Sequence, residues 1–325
     1  MLNLIRKIIH LSTSEVDYIR QYRVNANKTI QFFNWGNETS PTPENYWFYK
    51  FITKNFIIKD RKSIKFCSVF GSRRIPSQLT HGVKVFYTAE NIHKHPFKIY
   101  SDYLLSDWSC QLALGFDYFE DSRYLRFPFW IQRFFPPSIN RNDIAKQCSV
   151  LRYPTTQYTT ERKFACLIAR HDDSGLRTQM HSLLSKLGNI DCPSKLLHND
   201  DSLNKEYHDN KWMYMNKYMF NICPENSNSY GYVTEKVFEA IASGCIPIYW
   251  GSYNNPEPGI LNHDAIIFWD WKDGGEKAIS QVTELMSSPK LYKEFAMQPR
   301  LMPSAEKIIE EMIDRLYDRL LEIYT

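Results

Sequence analysis

The sequence predicts an α/β protein: two open, Rossmann-like parallel-sheet domains facing a cleft, closed by a C-terminal helix. Three observations predict it. Short apolar segments alternate with helical stretches through both halves of the chain. A Pro-rich and polar stretch, Phe134-Phe-Pro-Pro137 followed by Ser138 to Gln147, separates the halves and places a boundary near residue 150. The 325 residues also exceed what a single hydrophobic core normally serves. The expected division is 1–150, 151–303 and a closing amphipathic helix over 304–325.

In the first half, Leu2, Ile5, Ile8 and Ile9 share one helical face, which either packs on the protein or rests on an anionic membrane surface. Arg6 and Lys7 interrupt that apolar run, and no small-residue cleavage site follows, so it does not read as a signal peptide. A polar helix and connector over 13–27 leads to a strand from Lys28 to Trp35, stopped by Gly36-Asn37. Glu38 to Pro43 then forms a loop at that strand's carboxyl end, and Glu44 to Thr53 an unusually aromatic helix. Further strands are expected at Lys65 to Phe70, Val83 to Tyr87 and Gln111 to Phe116, with Leu125 to Trp130 finishing the domain. Glu90 falls just past Val83 to Tyr87, where a carboxylate faces the ligand side of an open sheet; read locally, it is more simply a surface-loop glutamate or a helix cap.

The second half opens with an apolar strand from Lys163 to Ile168, a polar loop from Ala169 to Gly175 and a helix from Leu176 to Leu187. Arg177 lies in that helix's first turn, a place the macrodipole disfavours for a cation, and Arg170 is near enough to be confused with it. For both, the plain alternative is a surface salt bridge. A helix over Leu203 to Asn216 precedes the most informative stretch, Phe220 to Gly251. There a short strand ends at Cys223, Pro224 and a run of Asn and Ser form a loop, and a helix begins with Thr234 as N-cap. Val237, Ala240, Ile241 and Gly244 make that helix's apolar face, and Gly244 stops it. Cys245 to Trp250 is a second buried strand, with Pro247 marking an edge or bulge. Lys236 opposes the dipole at the helix start unless an anion is bound there, when ammonium and helix terminus act together. Otherwise Lys236 is solvated and Glu235 offsets it. A strand at Ala265 to Phe268 and helices over Glu276 to Met286 and Ala305 to Tyr324 complete the chain.

Composition excludes several classes. A net charge of +4 without a concentrated basic stripe gives no case for nucleic-acid binding. No run of eighteen apolar residues exists to span a membrane. Seven cysteines, several inside apolar strands, read as buried thiols of a reducing compartment rather than a disulfide framework. No CxxC pair or cysteine/histidine zinc pattern occurs, and His93-x-His95 reads as an exposed loop.

The run PENSNSYGYVTEK (224–236), with the helix after it and IPIYWG (246–251), resembles the donor-binding signature of the α-1,3-fucosyltransferases, glycosyltransferase family 10. Val85 to Asn91 resembles the family's N-terminal strand ending in an acidic residue. Phe116-Asp117 through Arg123 to Pro128 resembles the segment that follows, so the likeness spans roughly residues 30 to 270, bacterial members being most similar. It implies the GT-B arrangement and transfer of L-fucose, with inversion, from GDP-β-L-fucose to the 3-hydroxyl of GlcNAc in a Galβ1-4GlcNAc-type glycan acceptor, a Lewis x type product. Carried over residue by residue, it implies Glu90 as base and Glu235 as partner of the donor hydroxyls or of charge developing on the fucose ring. It implies Arg177 and Lys236, with the helix start at Thr234, as the diphosphate clamp, and Asn226 and Tyr232 as donor-positioning groups.

Metal-independent action is implied too, and the chain contains no Asp-x-Asp pair. Animal members carry a membrane anchor; the expectation here is a cytoplasmic protein, free or peripheral on the inner face of the membrane. The heptad repeats and basic tail of some bacterial relatives are not seen, which leaves oligomeric state open. Two other classes stay open: a GT-B transferase using another nucleotide sugar, and a non-catalytic carbohydrate-binding protein.

Overall fold

The computed structural model describes residues 2–36, 42–57, 63–153 and 161–324. The chain forms two compact units, one of residues 1–132, 136–139 and 311–325, the other of residues 133–135 and 140–310. Much of the stretch expected as a linker is a helix, Arg141–Arg152, because the Asn140 side chain accepts from Asn142 N and starts it.

The first unit is built on five parallel strands in sequential order, β1 (Ile30–Phe33), β2 (Ile64–Cys67), β3 (Val83–Tyr87), β4 (Leu112–Gly115) and β5 (Tyr124–Arg126). Its strands are mostly apolar and buried, as a parallel sheet covered on both faces requires, with Gln31, Lys65, Lys84 and Arg126 as the polar exceptions. Aromatic packing is dense: Trp47 and Phe51 of the helix Trp47–Asn55 stack with centroids 4.9 Å apart, and Phe48 stacks on Phe66 of β2 at 5.0 Å. The aromatic helix expected from Glu44 therefore starts later, after a 3₁₀ turn at Pro43–Asn45. The helix at the N-terminus runs Leu2–Asn25; the apolar face expected of Leu2, Ile5, Ile8 and Ile9 rests on side chains outside those described. Of the loop Glu38 to Pro43, residues 38–41 also lie outside the described residues.

The second unit has five parallel strands in the order β10-β9-β8-β6-β7, where β6 is Lys163–Cys166, β7 Ile190–Asp191, β8 Tyr218–Ile222, β9 Ile246–Tyr249 and β10 Ile267–Phe268. From β6 the chain first moves to β7 on one side and then returns to β8 on the other. The gap between the loops after β6 and β8 is thus the switch point at which open α/β sheets hold ligands. Pro247 is not at an edge, as expected, but inside β9. It lies opposite Asn221 of β8, and β10 joins only from Ile248 onward, so the proline sits on a rung where the second neighbour is not yet present. The expected helix over Leu203 to Asn216 is two short ones, Ser202–Lys205 and Lys211–Met215, separated where His208 and Asp209 take positive φ of 48° and 61°.

The last helix, Ala305–Tyr324, buries Ile309, Ile313, Leu316 and Leu320, which recur at helical spacing. Among the described residues no helix is long and apolar enough to cross a membrane.

Candidate donor site in the second unit

The loop after β6 ends at Gly175, whose φ of +76° only glycine adopts easily, and the helix Leu176–Leu184 follows. Asp172 takes the place of a side-chain cap: its carboxylate accepts from Arg177 N at 3.2 Å and Thr178 N at 2.8 Å. Those bonds hold Asp172 ionised; burial raises its pKa, but they and the Arg177 charge bring it below the usual range.

Arg177 itself is buried, 6% exposed, whereas Arg170 is exposed. Its guanidinium donates to His171 O at 2.5 Å, Pro224 O at 3.5 Å and Asn226 Oδ1 at 2.7 Å. These acceptors are all neutral, and among the described residues no carboxylate lies within ion-pairing distance of it. The surface salt bridge is therefore excluded; the Asp172 carboxylate, held on the Arg177 amide, acts on the guanidinium only from beyond ion-pairing distance.

Lys236 opens the helix Lys236–Ala242, one residue later than expected. Thr234 does not cap this helix, because Glu225 already engages it: Thr234 N donates to Glu225 Oε1 and Thr234 Oγ1 to Glu225 Oε2, both at 2.7 Å. The Thr234 amide is thus not available to an anion, which removes it from the clamp expected from sequence. The Lys236 ammonium, on a side chain 21% exposed, donates to Glu225 Oε2 at 3.1 Å and Thr234 Oγ1 at 2.8 Å, with Glu235 Oε1 at 3.8 Å. Burial works against its charge, but Glu225 and Glu235 outweigh burial and hold its pKa above the ordinary lysine value. The mirror effect acts on Glu235: burial raises its pKa, and the Lys236 charge carries it down overall.

Arg177, Lys236 and Glu235 line one cavity of about 50 Å³ together with Lys211 and Glu239. It has room for one or two water molecules, so an anion of nucleotide size would meet these charges at its mouth. Lys211 and Glu239 had no signal in the sequence; they come together at 3.1 Å, and burial raises the Glu239 pKa. Asn226 is exposed and reaches Arg177, while Tyr232 is 2% exposed and belongs to the packing of the loop. Gly231, at φ +80°, turns the chain between Tyr230 and Tyr232 and donates to Ser252 Oγ at 3.0 Å.

A second, larger hollow of about 640 Å³ also opens at the strand ends of this unit. Trp250, Tyr253 and Trp271 give it flat rings, and Asn228, Asn254 and Asp270 give it polar groups. Asn254 holds its amide nitrogen on Trp269 O at 3.0 Å and leaves its Oδ1 buried without a partner.

In the first unit, Glu90 is half-buried in the turn after β3, where Thr88 Oγ1 accepts from Glu90 N at 3.0 Å and donates to Glu90 O at 2.9 Å. The same loop is tied to the end of β4 by His93 Nε2 and Asp117 Oδ2 at 2.7 Å. That bond, stronger than the burial opposing it, raises the His93 pKa.

Comparison with known proteins agrees with this layout. Residues 30–133 match the model of the α-(1,3)-fucosyltransferase FucT N-terminal domain, and residues 157–297 that of the C-terminal part of glycosyltransferase family 10 (fucosyltransferase). The chain is 26% identical to α-(1,3)-fucosyltransferase FucT of Helicobacter pylori over 265 residues, 71% of this chain and 52% of the relative. It is 29% identical to α-(1,3)-fucosyltransferase B of Drosophila melanogaster over 136 residues, 41% of this chain and 30% of the relative. The chain thus spans about half the length or less of the curated relatives it matches. A crystal structure of an α1,3-fucosyltransferase superposes with a TM-score of 0.62 at 21% identity, covering 89% of both chains. One with GDP-fucose gives 0.57 at 20% identity over 88% of this chain and 89% of that one, which supports the GT-B fold.

Proposed function

Since the chain belongs to the fucosyltransferases of glycosyltransferase family 10, we propose that it transfers L-fucose from GDP-β-L-fucose to the 3-hydroxyl of GlcNAc in a Galβ1-4GlcNAc-type glycan. The observation that carries this reading is Arg177, a residue 6% exposed whose guanidinium donates hydrogen bonds only to neutral oxygens, lining one cavity with Lys236. A buried cation with no carboxylate in direct contact is costly unless a ligand supplies an anionic partner, and a nucleoside diphosphate is that ligand.

In the proposed reaction the acceptor oxygen forms a bond to the anomeric carbon as the bond from that carbon to the β-phosphate oxygen breaks, with inversion. Glu90 accepts the hydroxyl proton. Arg177 and Lys236 neutralise the departing diphosphate, so metal ions are not assigned a part in it. Glu235 hydrogen-bonds donor hydroxyls or favours positive charge developing on the sugar ring; Asn226 and Tyr232 position the donor, Asn226 through Arg177 and Tyr232 through the fold of its loop. The 640 Å³ hollow suits a purine nucleoside, its rings stacking on the base and its amide and carboxylate oxygens accepting from the base and ribose.

We place this chemistry in the cytoplasm, free or peripheral on the inner membrane face, because seven buried free thiols suit a reducing compartment.

A panel of nucleotide sugars tests the proposal: release of GDP from GDP-fucose, dependent on a GlcNAc-containing acceptor, is expected. Turnover confined to a UDP- or ADP-sugar would replace fucose with another donor, and absence of nucleotide binding would leave a carbohydrate-binding protein.

A further inference from the structure

We propose that Glu225 is the positioning residue of the donor site: it fixes the Lys236 ammonium in place and keeps it protonated, so that the diphosphate meets a preset cation. The ligand in this statement rests on the donor reading above; the principal test does not.

The Glu225 side chain has no solvent exposure. Its two oxygens are fully engaged, Oε1 by Thr234 N and Oε2 by both Thr234 Oγ1 and Lys236 Nζ. The threonine hydroxyl closes the triangle, donating to the carboxylate while it accepts from the ammonium at 2.8 Å. The backbone makes room for this: a Cβ at Gly251, where φ is +150°, would lie 2.7 Å from Glu225 Cγ. Glu225 N is held in turn by Trp250 O at 2.8 Å. A flexible four-carbon side chain is thereby locked by a carboxylate eleven residues earlier in sequence, before any ligand arrives.

The charges facing the ammonium are Glu225 from the loop after β8, Glu235 on its own helix start and Arg177 from the helix Leu176–Leu184; Lys211 and Glu239 line the same cavity. Burial and Arg177 favour the neutral amine, and the two carboxylates oppose them and prevail. With Glu225 replaced by Gln, only Glu235 remains as a close opposing charge, and the ammonium should deprotonate at a lower pH.

The experiment is ¹³Cε-lysine NMR on the nucleotide-free protein, the Lys236 signal being the one missing from Lys236→Arg. Wild-type Lys236 is expected to titrate above the ordinary lysine value, and Glu225→Gln to lower that midpoint by at least about one pH unit. As a second readout, GDP affinity should be level between about pH 8 and 10 in the wild type, and fall several-fold over that range in Glu225→Gln. Adding Lys236→Arg to Glu225→Gln should restore a level profile, because guanidinium does not deprotonate there.

An unchanged Lys236 midpoint in Glu225→Gln, or a GDP affinity reduced by the same factor at every pH, would overturn the proposal and leave Glu225 a purely structural group. If Glu225→Gln does not fold, the wild-type titration decides: a midpoint at or below the ordinary lysine value overturns it. A wild type that binds no GDP counts against the donor reading, and the lysine titration still decides this one.

Discussion

The guanidinium of Arg177 donates to Asn226 Oδ1 across 2.7 Å, joining residues 49 positions apart. One side chain stands at the start of the helix after β6 and the other in the loop after β8. The contact therefore bridges the two neighbouring parallel strands at which the strand order reverses. The partner at this distance is an amide, which orients the guanidinium without forming an ion pair with it.

Asn226→Asp should convert that contact into an ion pair with little change in shape. GDP affinity is expected to fall by about tenfold or more, while thermal stability holds or rises, since a charge-assisted bond replaces a neutral one. Calorimetric titration and a thermal melt on the same sample check this. Retained affinity would mean that Arg177 is not the anion's partner.

Glu90→Gln keeps the side chain's shape and removes its basicity. Turnover should fall by about 10²–10⁴-fold with GDP affinity unchanged, the range that general-base catalysis contributes. If turnover survives, another group takes the proton.

Acid should loosen the first unit through Asp102. Burial alone would raise its pKa, but the fork from Arg73, at 2.5 and 2.7 Å, and the Ser106 hydroxyl bring it down to about 2. The folded carboxyl therefore titrates below its unfolded value, so its contribution is present above about pH 4 and is lost as pH falls toward about 2. After solvent screening that contribution is about 1 kcal/mol. Asp102→Asn should melt about 3 °C lower at neutral pH, the gap closing near the folded pKa. An equal deficit at both pH values would assign the loss to packing.

The seven cysteines are free and buried, and burial pushes Cys67 up to about 12 and Cys245 to about 11. Ellman's reagent at pH 8 should find no fast-reacting thiol in the native protein and all seven after denaturation. A rapid phase in the native protein would point to an opening that exposes one of these strands.

Elements specified by local chemistry were legible in the sequence. β3 runs from Val83 to Tyr87 as its apolar pattern predicts, and the terminal helix from Ala305 to Tyr324. Arg177 and Lys236 stood out because each is a cation at a helix start, a local anomaly with a physical reason. What was not legible depends on partners distant in sequence. β7 is two residues long, Ile190–Asp191, and exists because Ala165 and Cys166 of β6 lie beside it. The break at His208 and Asp209 lies in a left-handed turn that no glycine announces. Thr234 has the residue type of an N-cap, yet its hydroxyl and amide are taken by Glu225, which turned a local signal into a tertiary contact. For the same reason Glu225 read only as part of a polar loop, although it is the residue on which Lys236 rests.

In the proposed donor site Arg177 and Lys236 together hold a nucleoside diphosphate. Isothermal titration of GDP into the wild type, Arg177→Ala and Lys236→Ala tests it most directly. A wild type that binds, and variants each weaker by about tenfold or more, is the result the account predicts. Titration curves that superimpose for all three proteins would contradict it.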